Sequence, residues 1–427
     1  MMQLVDRGAW RRNHVGLIPT PRDASFRDHT AMTLIGALPT QIEPLACSEH
    51  VFISSRISSY IKARQLTIFG PPGYTIPQRY MNRTPPPDGA DTNTRPYLIF
   101  FSYMLTCFSV SVFIIQRIVK KNTVLKKSTI LTPPPRKQVW LFSALAAGSL
   151  LTTWGFMIQY FNVSYKTWLM WRSYYELDPH HRHWGLWLRE TSLFHEAWEL
   201  VVVGNARYWW SHQIFFFALG LGIYMEQRGV RRNIKYTWAF MLLGQIVAIS
   251  FATNLFLLTL ILSPPTPSVS STRPQRSSWI SPWLLNLASV LATTIPAYLL
   301  ADEHYWHHST DFMPVLLIPH VALLVTPFAR ALVPENWFPE NDLAFEDKVF
   351  GYMWALTLGN AALMMLKTTY AAVSYGGFVG IQNALLEHPA VSSVGFDVIF
   401  CWITWICWYI TRGEDVGSFT KEPIKRL

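Results

Sequence analysis

Five carboxyl side chains stand where this sequence could do acid–base chemistry. Glu196 and Glu199 accompany His195, Glu226 closes an apolar block, and Asp302 and Glu303 open the run Asp302-Glu303-His304-Tyr305-Trp306-His307-His308. Ionisable groups at membrane depth are costly, so each is a functional candidate. A carboxyl group desolvated in a lipid-facing pocket keeps its proton and can act as a general acid. Asp397 lies several residues inside the last apolar block and adds a sixth group of this kind. Glu196 and Glu199 also fit a plainer role, the wet stripe of a helix lying in the membrane interface. The amides Gln245 and Asn254, nine positions apart in one apolar block, suit either a pocket wall or hydrogen bonding between helices.

Apolar blocks must position these groups. Half of the 427 residues are hydrophobic and only 15% are charged, against roughly 25% charged in soluble domains. The apolar residues collect in blocks of about 18 to 27, long enough to cross a hydrocarbon core of roughly 30 Å. The blocks are Tyr97–Ile115, Val139–Phe161, Tyr208–Met225, Tyr236–Leu262, Trp283–Ala301, Phe312–Ala329, Val349–Leu366 and Val391–Ile410. The expected fold is therefore an all-α, polytopic transmembrane bundle of about eight spans over residues 96–412. Tyr208–Met225 is the weakest block because it holds His212 and Gln213. Pro296, Pro314 and Pro319 should kink their helices, which a membrane tolerates when neighbours satisfy the freed carbonyls. Residues 1–95 are rich in Pro, Arg, Ser and Thr without sustained period and read as a disordered or loosely structured leader; 413–427 form a polar tail.

Loop charge orients the bundle. The first loop holds Arg117, Lys120, Lys121, Lys126, Lys127, Arg136 and Lys137, and the loop after the third block holds Arg228, Arg231, Arg232 and Lys235. With eight spans both lie on one side, predicted cytoplasmic, with leader and C-terminus lumenal. The sequons at Asn82 and Asn162 then fall on the lumenal side, as glycosylation requires. Asp302, Glu303, Glu226 and Asp397 would all approach from the cytoplasmic side and could share one pocket. The net charge of +10 reads as topology signal and lipid headgroup contact, with no nucleic-acid partner. The lipid bilayer, of the endoplasmic reticulum in the first instance, is the expected environment, and the oligomeric state is open. Between the second and third blocks the chain is rich in tryptophan. From Leu186 to Val201, Trp187, Phe194, Trp198 and Val201 recur at helical spacing opposite Arg189, Ser192, Glu196 and Glu199, which predicts one amphipathic interfacial helix.

Metal chemistry finds little support in the spacing. If the fifth helix ran on past the membrane, His304, His307, His308 and Asp311 would share a face. The H-x-x-H-H spelling locally resembles one box of the membrane di-iron desaturases and hydroxylases. Those enzymes need several boxes, and His180, His181 and His183 have the wrong spacing for a second. No metal and no cofactor is expected. The four cysteines, Cys47, Cys107, Cys401 and Cys407, also lack ligand spacing; thiols within a bilayer are packing residues. No phosphate-binding glycine loop, serine-hydrolase elbow or aspartate-rich magnesium box occurs.

Three stretches carry a family resemblance: Asn205-Ala206-Arg207-Tyr208-Trp209-Trp210-Ser211-His212-Gln213, then Tyr224-Met225-Glu226-Gln227-Arg228-Gly229, then Trp238 through Ser250 with Ala252-Thr253-Asn254-Leu255. Together they resemble the membrane-bound terpene cyclases of fungal meroterpenoid pathways, of the ascofuranone, ascochlorin and macrophorin type. The resemblance implies protonation-initiated cyclisation of a farnesyl-type chain, alkene or epoxide, on an aromatic substrate. No diphosphate leaves, so no magnesium is needed. On that reading Asp302, Glu303 and Glu226 are the first acid and base candidates from their place at the membrane, Glu196 and Glu199 the next, and Trp209, Trp210, Gln245 and Asn254 would line the pocket. A transporter or channel, a non-catalytic membrane protein and a di-iron hydroxylase are the alternatives.

Overall fold

The computed structural model describes residues 94–127, 135–172, 182–263, 276–278, 282–306, 310–332, 334 and 340–419. The chain divides into two units, residues 1–84 and 85–427, and every described residue belongs to the second. The predicted leader up to residue 93, with Asn82 and Cys47, lies outside the described residues, as do His180, His181, His307, His308 and the end of the tail.

The described chain is helical apart from one short ladder. Its helices are α1 (Thr94–Lys127), α2 (Arg136–Arg172), α3 (Trp184–Glu190), α4 (Leu193–Val202), α5 (Asn205–Tyr224), α6 (Thr237–Ile246), α7 (Ile249–Ile261), α8 (Pro282–Leu299), α9 (Phe312–Leu332), α10 (Leu343–Glu387) and α11 (Pro389–Phe419). Strands β1 (Arg276–Ser278) and β2 (Glu340–Asp342) pair antiparallel, with Ser277 opposite Asn341. Five helices are long and apolar enough to cross a membrane: Thr94–Lys127, Arg136–Met170, Phe312–Leu332, Phe345–Glu387 and Pro389–Thr411. Their outer faces expose large apolar side chains, such as Leu105 and Phe108 on α1, Leu151 on α2, Val321 on α9, Leu363 on α10 and Ile406 on α11. Polar groups such as Thr153, His212, Asn254 and Thr293 are buried inside. Apolar outside and polar inside is the arrangement a lipid solvent selects. This is a multi-pass membrane protein.

Side-chain contacts set the helix directions. α2 and α11 run antiparallel, pairing Gln138 with Thr411, Phe142 with Trp408, and Phe156 with Phe396. α5 runs alongside α11, with Gln213 bonded to Trp402 and Tyr224 to Trp408. It runs against α10, with Trp209 bonded to Thr369 and Gln227 to Trp354. Two apolar clusters fill the two halves. One joins the C-terminal part of α5 to α6, α7 and the start of α10; the other joins α3, α4, the N-terminal part of α5, the end of α8 and the starts of α9 and α11. The first half carries both basic loops and is here the basic end; the second is the aromatic end.

The fourth predicted span is not a span. Tyr236–Leu262 contains a helical hairpin, and the chain reverses at Val247 and Ala248, which have φ/ψ of −120°/−72° and −167°/138°. Phe240 packs on Phe256, and a Cβ at Gly244 would lie 2.9 Å from the Ile249 side chain, so glycine permits the close return. The hairpin leaves from Tyr236, whose ring meets Phe113, and returns to Ser263, whose hydroxyl accepts from Lys121 at 2.7 Å. Both its feet are at the basic end.

This hairpin reverses everything that follows it. α8, α9, α10 and α11 each run opposite to the eight-span expectation. α9 begins at the aromatic end, carries Arg330 in its last turn at the basic end, and is about 30 Å long from its 21 residues. The end of α11 therefore lies at the basic end, opposite to the expected side. Pro296 lies inside α8, Pro319 and Pro327 inside α9, and Pro314 in the first turn of α9, where no helical hydrogen bond is lost. α10 breaks at Gly377, whose φ of 63° only glycine takes without strain.

Candidate functional site

The predicted convergence of carboxylates does not occur. Asp302 and Glu303 are exposed beyond the end of α8, and Asp302 caps a short 3-10 turn by accepting from the His304 N–H at 3.0 Å. The helix stops at Leu299 and His304 sits in the 3-10 turn beyond it, so α8 does not carry the face predicted for His304; His307 and His308 lie outside the described residues. Glu226 is at the far end of α9. It occupies a π-helical turn, Met225–Gly229, that continues α5, and it is buried. The Arg330 guanidinium grips both of its oxygens, at 2.8 Å, 3.1 Å and 3.3 Å. Such a fork is an ion pair with its acceptors in use, not a poised proton donor. A tight crevice beside it is lined by Asn286, Ser289 and Thr326, with space for a water-sized guest only, about 20 Å³.

Asp397 has a different partner again. It reaches across from α11 and accepts from the backbone N–H groups of Ile249 at 3.0 Å and Ser250 at 2.8 Å. Those are the first free donors of α7, exposed by the hairpin's reversal, and a carboxylate at a helix N-terminus satisfies them. The carbonyl of Ile246, freed on the other arm, accepts from the Tyr103 hydroxyl at 2.6 Å and the Cys107 thiol at 3.5 Å. Asp397 therefore holds a helix break together. Nothing in the sequence before it says so, because its partners lie 147 and 148 positions away.

The pocket walls also separate. Asn254 is fully buried and donates to the Thr404 hydroxyl and the Ser250 carbonyl, both at 2.9 Å, so it joins α7 to α11. Trp209 and Trp210 stand edge to face at 4.8 Å and spend their N–H groups on Thr369 and the Ile381 carbonyl of α10. Gln245 is half-buried near the hairpin tip and points back to the Met241 sulfur. The amides act as interhelical or local links, and the four do not face one cavity.

One predicted cluster remains intact. The expected single interfacial helix is two helices, because Thr191 is extended with φ/ψ of −84°/133°, and its hydroxyl turns back onto the Trp187 carbonyl at 2.6 Å. α2 staples both pieces to the bundle. Tyr160 donates to the Leu193 carbonyl at 2.6 Å, Trp168 to Glu190 at 2.7 Å, and the Trp187 N–H reaches Ser164 at 3.2 Å. So α4 is tucked into the aromatic end, and Glu196 and Glu199 are half-buried where a solvent stripe was expected.

Aromatic rings surround α4 on several sides. Phe194 meets Tyr103 of α1 with centroids 4.9 Å apart, His195 meets Phe312 at 5.9 Å, and Trp198 meets His320 of α9 at 6.2 Å. His320 in turn touches Phe215 of α5. Within this ring, His195 Nδ1 lies 3.6 Å from Glu199 Oε1, with side chains 33% and 30% exposed. Glu196 Oε1 accepts from the Ser192 N–H at 3.3 Å. Two carboxyl groups and an imidazole on one partly buried helix can hold and pass a proton. Among the described residues, no three His, Cys, Asp or Glu side chains group as a metal site. Cys107, Cys401 and Cys407 are free thiols, the first two buried.

Comparison with known proteins returns no match, whether to a protein-family profile, a curated protein or a solved structure.

Proposed function

We propose that the protein is a membrane terpene cyclase that protonates an alkene or epoxide of a farnesyl-type chain on an aromatic substrate, with Glu199 and Glu196 as the acid–base pair. The observation that carries this reading is the half-buried His195–Glu199 pair on α4, with His195 against Phe312 and with Phe194 and Trp198 of the same helix against Tyr103 and His320. A carbocation needs a dry site and aromatic faces, and a cyclase needs a proton source beside them. Glu226 is taken by Arg330, Asp397 by the hairpin, and Asp302 and Glu303 are in water. Of the predicted acids, that leaves Glu196 and Glu199. His195 would return the proton to Glu199 after each turnover. In the bilayer, we read seven through-going helices, α1, α2, α5, α8, α9, α10 and α11, with the α6–α7 hairpin re-entrant from the cytoplasmic face. Basic loops then place the C-terminal tail in the cytoplasm and the aromatic end in the lumen of the endoplasmic reticulum. Asn162, exposed on α2, would lie in the lumenal half.

The test is direct. Microsomes of a heterologous host carrying the full chain are fed farnesylated phenolic acids and their terminal epoxides, and products of unchanged mass are analysed for new rings. Glu199→Gln should lower turnover about 10²- to 10⁴-fold at unchanged protein level. Absence of cyclised product across the panel, or full activity in the Glu196→Gln/Glu199→Gln double variant, would remove the proposal.

The hairpin favours one second reading. Helix ends meeting inside a bundle are also how transporters and channels build ion and substrate sites. Liposome flux that disappears in Asp397→Asn while ring formation is absent would favour that class.

A further inference from the structure

At the basic end, a cleft of about 440 Å³ opens between α1, the 3-10 turn Val230–Arg232 and the returning foot of the hairpin. Its walls are Arg117, Lys120 and Lys121 of α1, Arg232 and Asn233 of the turn, Tyr236, and the apolar Val124, Leu125 and Leu262. Four cations face it and no carboxylate lines it. The size is that of a small-ligand site.

Topology alone does not account for this arrangement. A charge that only sets orientation needs nothing more than to be on the right side of the bilayer. Here the cations come from α1 and from the Val230–Arg232 turn, more than one hundred positions on, and three of them are held by contacts. Arg232 donates to the carbonyls of Leu260 and, at 3.0 Å, Ser263, the open C-terminus of α7. Lys121 donates to Ser263 Oγ at 2.7 Å, and the Arg117 guanidinium lies 5.1 Å over the Phe113 ring. The Tyr236 hydroxyl oxygen is buried at the same wall and makes no well-formed hydrogen bond, with Arg117 and Thr259 as its electrostatic neighbours. Burial pushes that phenol above its ordinary range, so it keeps its proton. Four cations gathered around one cleft beside a phenol call for a multivalent oxyanion, because phosphate oxygens take several charge-assisted donors at once.

We propose that this cleft binds a phosphate ester, with Arg117, Lys120, Lys121 and Arg232 supplying charge and Tyr236 a hydroxyl donor. The ester is the headgroup of an anionic lipid or a soluble phosphate of the same chemistry. Val124, Leu125 and Leu262 give a lipid-linked ester an apolar wall for the start of its chains. Bound there, the phosphate ties α1 to the hairpin foot, so the ligand acts on the element whose tip Asp397 caps. This inference is independent of the cyclase reading.

The full chain in phosphatidylcholine nanodiscs provides the test, with native mass spectrometry as readout. One arm adds phosphatidylinositol 4-phosphate, the other inorganic phosphate and glycerol phosphate. Wild-type protein should hold at least one of these about tenfold more tightly than phosphatidylcholine or chloride. Arg117→Gln/Lys120→Gln should cost about tenfold or more, near 1.4 kcal/mol. The control pair Arg136→Gln/Lys137→Gln, also basic and at the same end, should stay within about twofold. Preference for lipid alone assigns a bilayer ligand, and equal binding of the soluble esters assigns a cytosolic one. If the double variant does not keep the wild-type unfolding temperature, Lys120→Gln and Tyr236→Phe replace it. No preference in wild type, unchanged binding in the variants, or an equal loss in the control pair would overturn the proposal.

Discussion

The two ends of the bundle treat buried acids in opposite ways. At the basic end, Glu226 is matched to Arg330 at 2.8 Å, and the buried Glu346 lies 3.6 Å from Arg231. At the aromatic end, Glu199 lies 3.6 Å from the His195 imidazole and Glu196 accepts from the Ser192 N–H at 3.3 Å, on a helix whose own Phe194 and Trp198 meet Tyr103 and His320. Between the two, Asp397 accepts from the backbone N–H groups that open α7. The same carboxyl chemistry is thus spent on ion pairing, on a helix break and, in the function we propose, on a proton site. Local partners decide which, because desolvation raises the cost of an unpaired charge while a matched donor removes it.

The comparison can be broken most strongly at Arg330. Arg330→Ala leaves Glu226 buried and uncompensated, and should cost about 3–5 kcal/mol. Arg330→Met with Glu226→Gln removes both charges and should recover most of it. Thermal unfolding in detergent reports both, and a loss below about 1 kcal/mol for Arg330→Ala would mean the pair is as weak as a surface bridge. Asp397→Leu comes next. Two α7 donors lose a charged acceptor, at about 2 kcal/mol, and hydrogen exchange at Ile249 and Ser250 should accelerate while α2 is unchanged. Unaltered exchange there would remove the cap from the account of the hairpin.

A smaller effect tests the aromatic end by pH. His388 joins α10 to α11, and its Nδ1 accepts from the Ala390 N–H at 3.2 Å. Burial first, then the Arg207 charge, pushes its pKa down to about 4, against an opposing pull from Glu387. The unfolded chain therefore binds a proton more readily, so stability is full above about pH 6.5 and falls towards pH 4. The loss should be on the order of 1 kcal/mol after solvent screening. It should vanish in His388→Gln, and an identical pH profile in that variant would assign the transition elsewhere. The smallest expected shift sharpens the comparison best. Glu199→Gln should change stability by no more than about 0.5 kcal/mol, while abolishing the turnover assigned to it. A large loss of stability instead would make Glu199 structural, as Glu226 is.

Some of this was legible in advance and some was not. The apolar blocks located all five helices long and apolar enough to cross a membrane, because span length is set by bilayer thickness and not by neighbours, although Tyr97–Ile115 and Val349–Leu366 stop well short of the helix ends at Lys127 and Glu387. The hairpin hid inside an uninterrupted apolar run. Tyr236–Leu262 contains no proline and no charge, and a period count cannot separate one long helix from two short antiparallel ones. Its one local signal was Gly244, four residues before the reversal. Because orientation is inherited along the chain, that single misreading carried Asp302 and Glu303 to the wrong end. The candidate site fared differently. Glu196 and Glu199 were visible as a paired stripe with His195, but the break at Thr191 and the stapling by Tyr160 and Trp187 were not.

Composition and spacing alone determined that this chain lives in a bilayer, that its basic loops share a side, and which acids are costly enough to matter. These follow from solvent and length, which act on each segment separately. Tertiary structure alone decided what each acid does. Arg330, the Ile249 and Ser250 amides, and the rings around α4 reach their carboxyl groups from elements distant in sequence, and a carboxyl group's chemistry is set by whatever stands within a few ångströms of it.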